Sequence, residues 1–265
     1  MTDRIKEAIA VASDDRPLGS WVSIGHPTVA EVKARLGLDF VLVDMEHTIM
    51  SLETVENMAR AIDAAPGETD TVVRVPWNDP VRLKRVIDIG VAGVMVPMIG
   101  SAKEARNLVE ALRYPPEGIR GIASSRATGY GRNFEEYVTT ANGSILTIVQ
   151  IETEAGLENV EAIAAVDGVD ALFVGPADLS GALDLFAEWD AEEFQHAVGR
   201  VIEAGRSTDV PVGTLTADVD DIESTADRGF DFLIAGKDTT ELMNSTERAI
   251  ENYDDVLETT ASTTD

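Results

Sequence analysis

The chain has 265 residues, 21 Lys and Arg against 48 Asp and Glu, a formal charge of −27, three His and no Cys. The missing thiols exclude disulfides, Fe–S clusters and thiol catalysis, and the scattered His exclude the HExxH type of zinc site. The charge repels both nucleic acid and anionic lipid, while 44% apolar residues supply a large core.

No run of 18 apolar residues occurs, and the opening MTDRIKEAIAVASDDR lacks the pattern of a secretory signal. The expectation is a cytoplasmic protein with no nucleic-acid and no membrane partner. Only Lys6, Lys33, Lys84, Lys103 and Lys237 are lysines. Many acids with few Lys predict a halophilic protein, tolerant of salt at which the Debye length shrinks to about 3 Å.

In chain order, short apolar runs alternate with helical stretches. The runs are Leu18–Ile24, Asp39–Met45, Thr71–Trp77, Gly93–Pro97, Ile145–Ile151, Asp170–Gly175, Val210–Leu215 and Phe230–Gly236. Most are rich in Val, Ile, Leu and Phe with little alternation, the pattern of strands buried on both faces. Helices are predicted over Ser51–Ala64, Pro80–Ile89, Ser101–Leu112, Ala191–Ala204, Asp218–Arg228 and Asp238–Tyr253. Ser51 and Asp79 are candidate N-caps, and Ser101-x-x-Glu104 is a capping box. Eight strands alternating with helices predict a single (β/α)₈ TIM barrel over residues 1–257, with a polar, disordered tail at 258–265. A doubly wound sheet is the alternative, but no GxGxxG and no P-loop occurs.

Sites of such barrels lie at the C-terminal ends of the strands. There the chain places Asp44, Glu46 and His47 (second), Arg74 (third), Gln150 and Glu152 (fifth), Gly175, Pro176, Ala177 and Asp178 (sixth) and Lys237 (eighth). Acids after strands usually cap the next helix, which is the ordinary reading of Glu152 or Asp178 alone. Together on adjacent strands they suggest a divalent metal with most positions left to water or substrate, hence Mg²⁺ or Mn²⁺, with Co²⁺ as an alternative. His47 could equally be a satisfied histidine, and Arg74 a structural partner of Asp44 or Glu46. His26 follows the first strand, and His196 lies in a predicted surface helix.

The motifs DMEH (44–47), RVPWNDP (74–80), VMVPMIGSAKEA (94–105), YPPEGIRG (114–121), QIET (150–153) and GVDALFVGPADLS (168–180) resemble one group from about Gly19 to Thr240. That group is the HpcH/HpaI family of class II pyruvate-dependent aldolases. The resemblance implies cleavage or formation of 4-hydroxy-2-oxo acids, to or from pyruvate and an aldehyde. A divalent cation there helps a pyruvate enolate to form. It implies Glu152 and Asp178 as metal ligands, His47 as catalytic base, Asp88 as the acid paired with His47, and Arg74 as the residue holding the pyruvyl oxygen. Gly175, Pro176, Ala177 and Asp178 match the turn that receives the pyruvate carboxylate. Asp44 and Gln150 match further substrate contacts, and Leu215 matches the lining of the aldehyde side. A homohexamer, a dimer of trimers, is implied too. The family commonly has Ser at the position of His26 and a Ser-like residue at that of Lys237, and residues 181–189 depart from its usual sequence. Rival readings are a Schiff-base aldolase using Lys237, a citryl- or malyl-CoA lyase, and a barrel without catalysis.

Overall fold

The computed structural model describes residues 4–11, 16–216 and 219–262, with the side chains of the last helix described as far as Val256. In chain order the elements are α1 (Arg4–Ala10), β1 (Leu18–Val22), α2 (Pro27–Ala34), β2 (Phe40–Asp44), α3 (Leu52–Ala64), β3 (Asp70–Arg74), α4 (Pro80–Ile87) and β4 (Gly93–Val96). Then come α5 (Ala102–Leu112), α6 (Phe134–Ser144), β5 (Leu146–Ile151), α7 (Glu154–Glu158), α8 (Val160–Ala164), β6 (Ala171–Val174), α9 (Pro176–Ala182) and α10 (Glu192–Thr208). The last are β7 (Val212–Thr216), α11 (Ile222–Asp227), β8 (Phe232–Lys237) and α12 (Asp238–Ser262). The eight strands pair in parallel in sequence order, and β8 closes on β1. This is the (β/α)₈ barrel that the sequence predicts.

Strand alternation divides the core in two. Trp21, Leu42, Val72, Met95, Ile148, Phe173, Phe232 and Ile234 fill the barrel interior. Their neighbours Val22, Val43, Val73, Val94, Val149, Leu172 and Leu233 pack outward under the helices. Each such side chain contributes about 1.5–3 kcal/mol by leaving water, which is why the strands read as unbroken apolar runs. Helix α1 plugs the N-terminal end of the barrel with Ile5 and Ile9. The Ile5 N–H donates to Asp70 Oδ2 at 3.1 Å, and Lys6 pairs with Asp170 at 2.9 Å. The same alternation carried to the C-terminal ends turns Asp44, Arg74, Gln150 and Leu215 inward.

All eight predicted strands form, most of them shorter at one or both ends. Ile24, Trp77 and Pro97 belong to loops, whereas β8 extends one residue further, to Lys237. Ser51, Asp79 and Ser101 stand just outside their helices as N-caps, each accepting a backbone N–H. The helix predicted over Asp218–Arg228 begins outside the described residues; its described part is a short 3₁₀ turn, Val219–Asp221, followed by α11. The tail expected to be disordered begins at Glu258, inside the span of the last helix. Helix α12 continues to Ser262, because no Gly or Pro intervenes to stop it.

Candidate active site

Arg74 ends β3 facing inward and is 6% exposed. Its Nε and Nη2 each donate to one oxygen of Asp44 at 2.9 Å, a fork on a carboxylate. Its Nη1 lies 2.6 Å from Glu46 Oε2. The guanidinium lies over the Trp21 ring, 4.5 Å from its centroid. Burial pushes the Asp44 carboxyl up, but the Arg74 bonds and charge, the Glu46 N–H and the Trp21 indole together hold it below the usual carboxylate range. Asp44 is therefore a fixed anion, and Arg74 is a fixed cation with one edge left for Glu46 or a substrate. Burial raises Glu46 instead, against the pull of Arg74 and His47 and with reinforcement from Asp44 and Asp178.

Glu152 follows β5 and is 3% exposed. Its Oε1 accepts the Met98 N–H at 2.8 Å, and its Oε2 accepts Gln150 Nε2 at 2.8 Å. Met98 has φ +59, a left-handed conformation that costs a non-glycine residue about 1–2 kcal/mol. That conformation is where its N–H meets Glu152. Gly175, after β6, completes the floor: a Cβ there would stand 2.6 Å from Glu152 Oε2. Burial is the chief reason that the Glu152 carboxyl is pushed up to about 7. The Met98 bond opposes the shift, and the charges of Asp178 and Glu46 add to it. Asp178 is the exposed third residue of α9.

Four carboxylates (Asp44, Glu46, Glu152 and Asp178) thus share one bowl with the Arg74 guanidinium. A carboxyl pushed up to about 7 chiefly by burial, with acidic neighbours adding to the shift, is the environment that a divalent cation relieves. The hard oxygen donors suit Mg²⁺ or Mn²⁺. Among the described residues no group of three or more His, Cys, Asp or Glu gathers as a metal site. A cation would rest on Glu152 and Asp178 and take its other oxygens from water and substrate. Among the described residues, Gln150 Oε1 is buried there with no hydrogen-bond partner.

His47 stands at the rim, its side chain 69% exposed, and its acidic neighbour is Glu46, with Nε2 3.9 Å from Oε2. Asp88 does not pair with it. Asp88 is the C-cap of α4, and its carboxylate accepts Arg120 Nη2 at 2.8 Å. Arg120 has no side-chain exposure and lies against the Tyr114 and Tyr137 rings, 4.4 and 5.6 Å from their centroids. The expected His47–Asp88 pair does not form within one chain, where the buried Arg120 guanidinium holds the acid. Leu215 packs against the interior cluster. His26 caps α2, its Nδ1 accepting the Thr28 N–H, and His196 is exposed on α10. Lys237 ends β8 opposite Trp21. Sequence reasoning missed Trp21 and Met98, and gave Glu46 no part beyond that of a partner for Arg74. Trp21 had a signal, since it falls on the inward parity of the first strand.

The sequence pattern of HpcH/HpaI aldolase/citrate lyase proteins matches residues 18–245. The chain belongs to the HpcH/HpaI family. A 4-hydroxy-2-oxovalerate aldolase of Novosphingobium aromaticivorans is 39% identical over 222 residues, 84% of each chain. A hydroxypyruvate/pyruvate aldolase of Paraburkholderia phytofirmans is 38% identical over 95% of this chain and 96% of its own. A crystal structure of a family protein from Burkholderia cenocepacia superposes with a TM-score of 0.91 at 34% identity, covering 95% of this chain and 99% of that one. This HpcH/HpaI chain is an aldolase, a carbon–carbon lyase. Among the described residues no helix is long and apolar enough to cross a membrane.

Proposed function

We propose that the chain cleaves and forms 4-hydroxy-2-oxo acids, releasing or consuming pyruvate and an aldehyde in the bowl between Arg74 and Glu152. The observation that carries this is that one barrel mouth holds both a buried Arg74 guanidinium locked by Asp44 and a buried Glu152 carboxyl bound by Met98 and Gln150. A divalent cation on Glu152 and Asp178 would supply a doubly charged Lewis acid beside the keto acid.

In cleavage, a base takes the proton of the C4 hydroxyl and the C3–C4 bond breaks. The aldehyde leaves, and the electron pair becomes a pyruvate enolate that is protonated at C3. Arg74 faces the oxygen on which charge develops and is already oriented, so it stabilises that charge without reorganising. The Gly175 to Asp178 turn opens α9 and suits the carboxylate of the keto acid. His47, at the rim of the bowl beside Glu46, is the side chain that accepts and returns the proton. Glu46, rather than Asp88, is the acid beside it. Leu215 lines the aldehyde side.

The same reading makes the enzyme cytoplasmic and hexameric. Leu242, Met243, Ile250, Tyr253 and Val256 are exposed along α12, as an assembling helix would leave them. Cleavage of a 4-hydroxy-2-oxo acid, followed through pyruvate release, should require added Mg²⁺ or Mn²⁺ and stop in EDTA. His47→Ala should cut turnover far more than pyruvate affinity. Full turnover in either case contradicts the proposal.

A further inference from the structure

We propose that Met98 is a positioning residue for the cation site. Its strained backbone, braced from α5 and from the junction of α7 and α8, aims one N–H at Glu152 and fixes that carboxylate before a cation arrives. The inference rests on the aldolase reading, in which Glu152 helps to hold the ion.

The turn after β4 runs Pro97, Met98, Ile99, Gly100. Pro97 and Ile99 are buried, whereas Met98 between them is 42% exposed. The Met98 side chain is not held in the core, so packing does not account for its φ of +59. An unbranched side chain enters the left-handed region at a cost, and a β-branched one at a higher cost. What the conformation gains lies on the backbone, where the Met98 N–H donates to Glu152 Oε1 at 2.8 Å. Gln150 Nε2 donates to the other oxygen, Oε2, also at 2.8 Å. A carboxylate oxygen accepts more than one bond, so each keeps capacity for a cation or its water. Donors on both oxygens fix the plane of the carboxylate, as outer partners of metal ligands do.

A strained residue persists only where its surroundings over-determine it, and this turn is gripped on both sides. The Gly100 N–H donates to Glu104 Oε2 at 2.8 Å. Glu104 is itself tied to Ser101 in the capping box that starts α5. From the other side comes Asn159, the exposed residue between α7 and α8. Its Nδ2 donates to Gly100 O at 3.0 Å and to Ala155 O at 2.8 Å. Gly156 lets the turn come this close, because a Cβ there would stand 2.8 Å from Ile99 O. Ile99 is anchored in the core beneath the helices. The brace thus couples exposed Asn159 to buried Glu152 through one backbone conformation.

The test is calorimetric titration of Mn²⁺ into the full chain in concentrated KCl. Met98→Ala and Met98→Gly keep the N–H and can keep the turn, so they should bind within about threefold of the wild type. Met98→Val, which resists a positive φ, should bind about 10- to 100-fold more weakly while its circular dichroism stays that of a folded barrel. Asn159→Ala should weaken binding about tenfold in the wild-type background. Combined with Met98→Gly it should cost much less, because a residue without strain needs no brace. Wild-type affinity in Met98→Val overturns the assignment, and so does a loss in Met98→Ala equal to that in Met98→Val. An Asn159→Ala loss that Met98→Gly does not reduce overturns it too, and that pair decides alone if Met98→Val does not fold. A wild type that binds no Mn²⁺ overturns instead the cation reading on which the proposal rests.

Discussion

Arg74 spends two of its N–H donors on Asp44 and keeps a third beside Glu46. Lysine in its place would carry the same charge without the fork, so the position of that charge would no longer be fixed. Arg74→Lys should lower kcat by about 10²–10³-fold, the usual loss when a prearranged oxyanion partner is removed. A steady-state assay checks this; a rise in KM with kcat unchanged would mean that Arg74 only binds. The residue roles most legible in the sequence are those set by parity and strand end. Asp44, Arg74, Gln150 and Glu152 could be placed because a strand end inside a barrel is apolar unless chemistry needs otherwise. The Asp88–Arg120 contact was not legible, because Arg120 stands 32 residues later in a loop and no local pattern links the two. Met98 was invisible for a similar reason: its part is played by a backbone N–H, which carries no side-chain signature.

Among the elements, the strands were legible because burial on both faces leaves continuous apolar runs, and the helix starts because Ser51, Asp79 and Ser101 cap them. A bulge in β8 was not legible. Its pairing with β1 slips by one residue between Gly19 and Trp21, yet nothing in FDFLIAGK marks where the extra residue is absorbed except the glycine. Besides the Met98 turn, the turn after β6 is a place where backbone geometry makes the site. Gly175→Ala would push a methyl group against Glu152 Oε2 and Gln150 Nε2, 2.6 and 3.1 Å from the new Cβ. Mn²⁺ affinity measured by calorimetry should fall at least tenfold, while the helical circular dichroism stays near that of the wild type. Unchanged affinity would show that Glu152 does not hold the ion.

For the molecule as a whole, the −27 charge is the dominant fact. Few of the acids are neutralised by buried partners; most are surface groups whose mutual repulsion salt screens. The thermal midpoint should therefore rise by several degrees between dilute and molar KCl, and a melt that does not move would remove the salt-adapted reading. The barrel itself was legible from the order of its elements, and the length of α12 was not, since a polar Thr- and Ser-rich end reads the same whether coiled or helical. All of this architecture serves one claim, that Glu152 and Asp178 hold a divalent cation beside the Arg74 guanidinium and so let pyruvate lose a methyl proton. Exchange of the pyruvate methyl protons into D₂O, followed by NMR with no aldehyde present, tests that most directly. The account predicts exchange with Mn²⁺ in the wild type and almost none in EDTA or in Glu152→Gln. Exchange that continues undiminished in EDTA and in Glu152→Gln would contradict it.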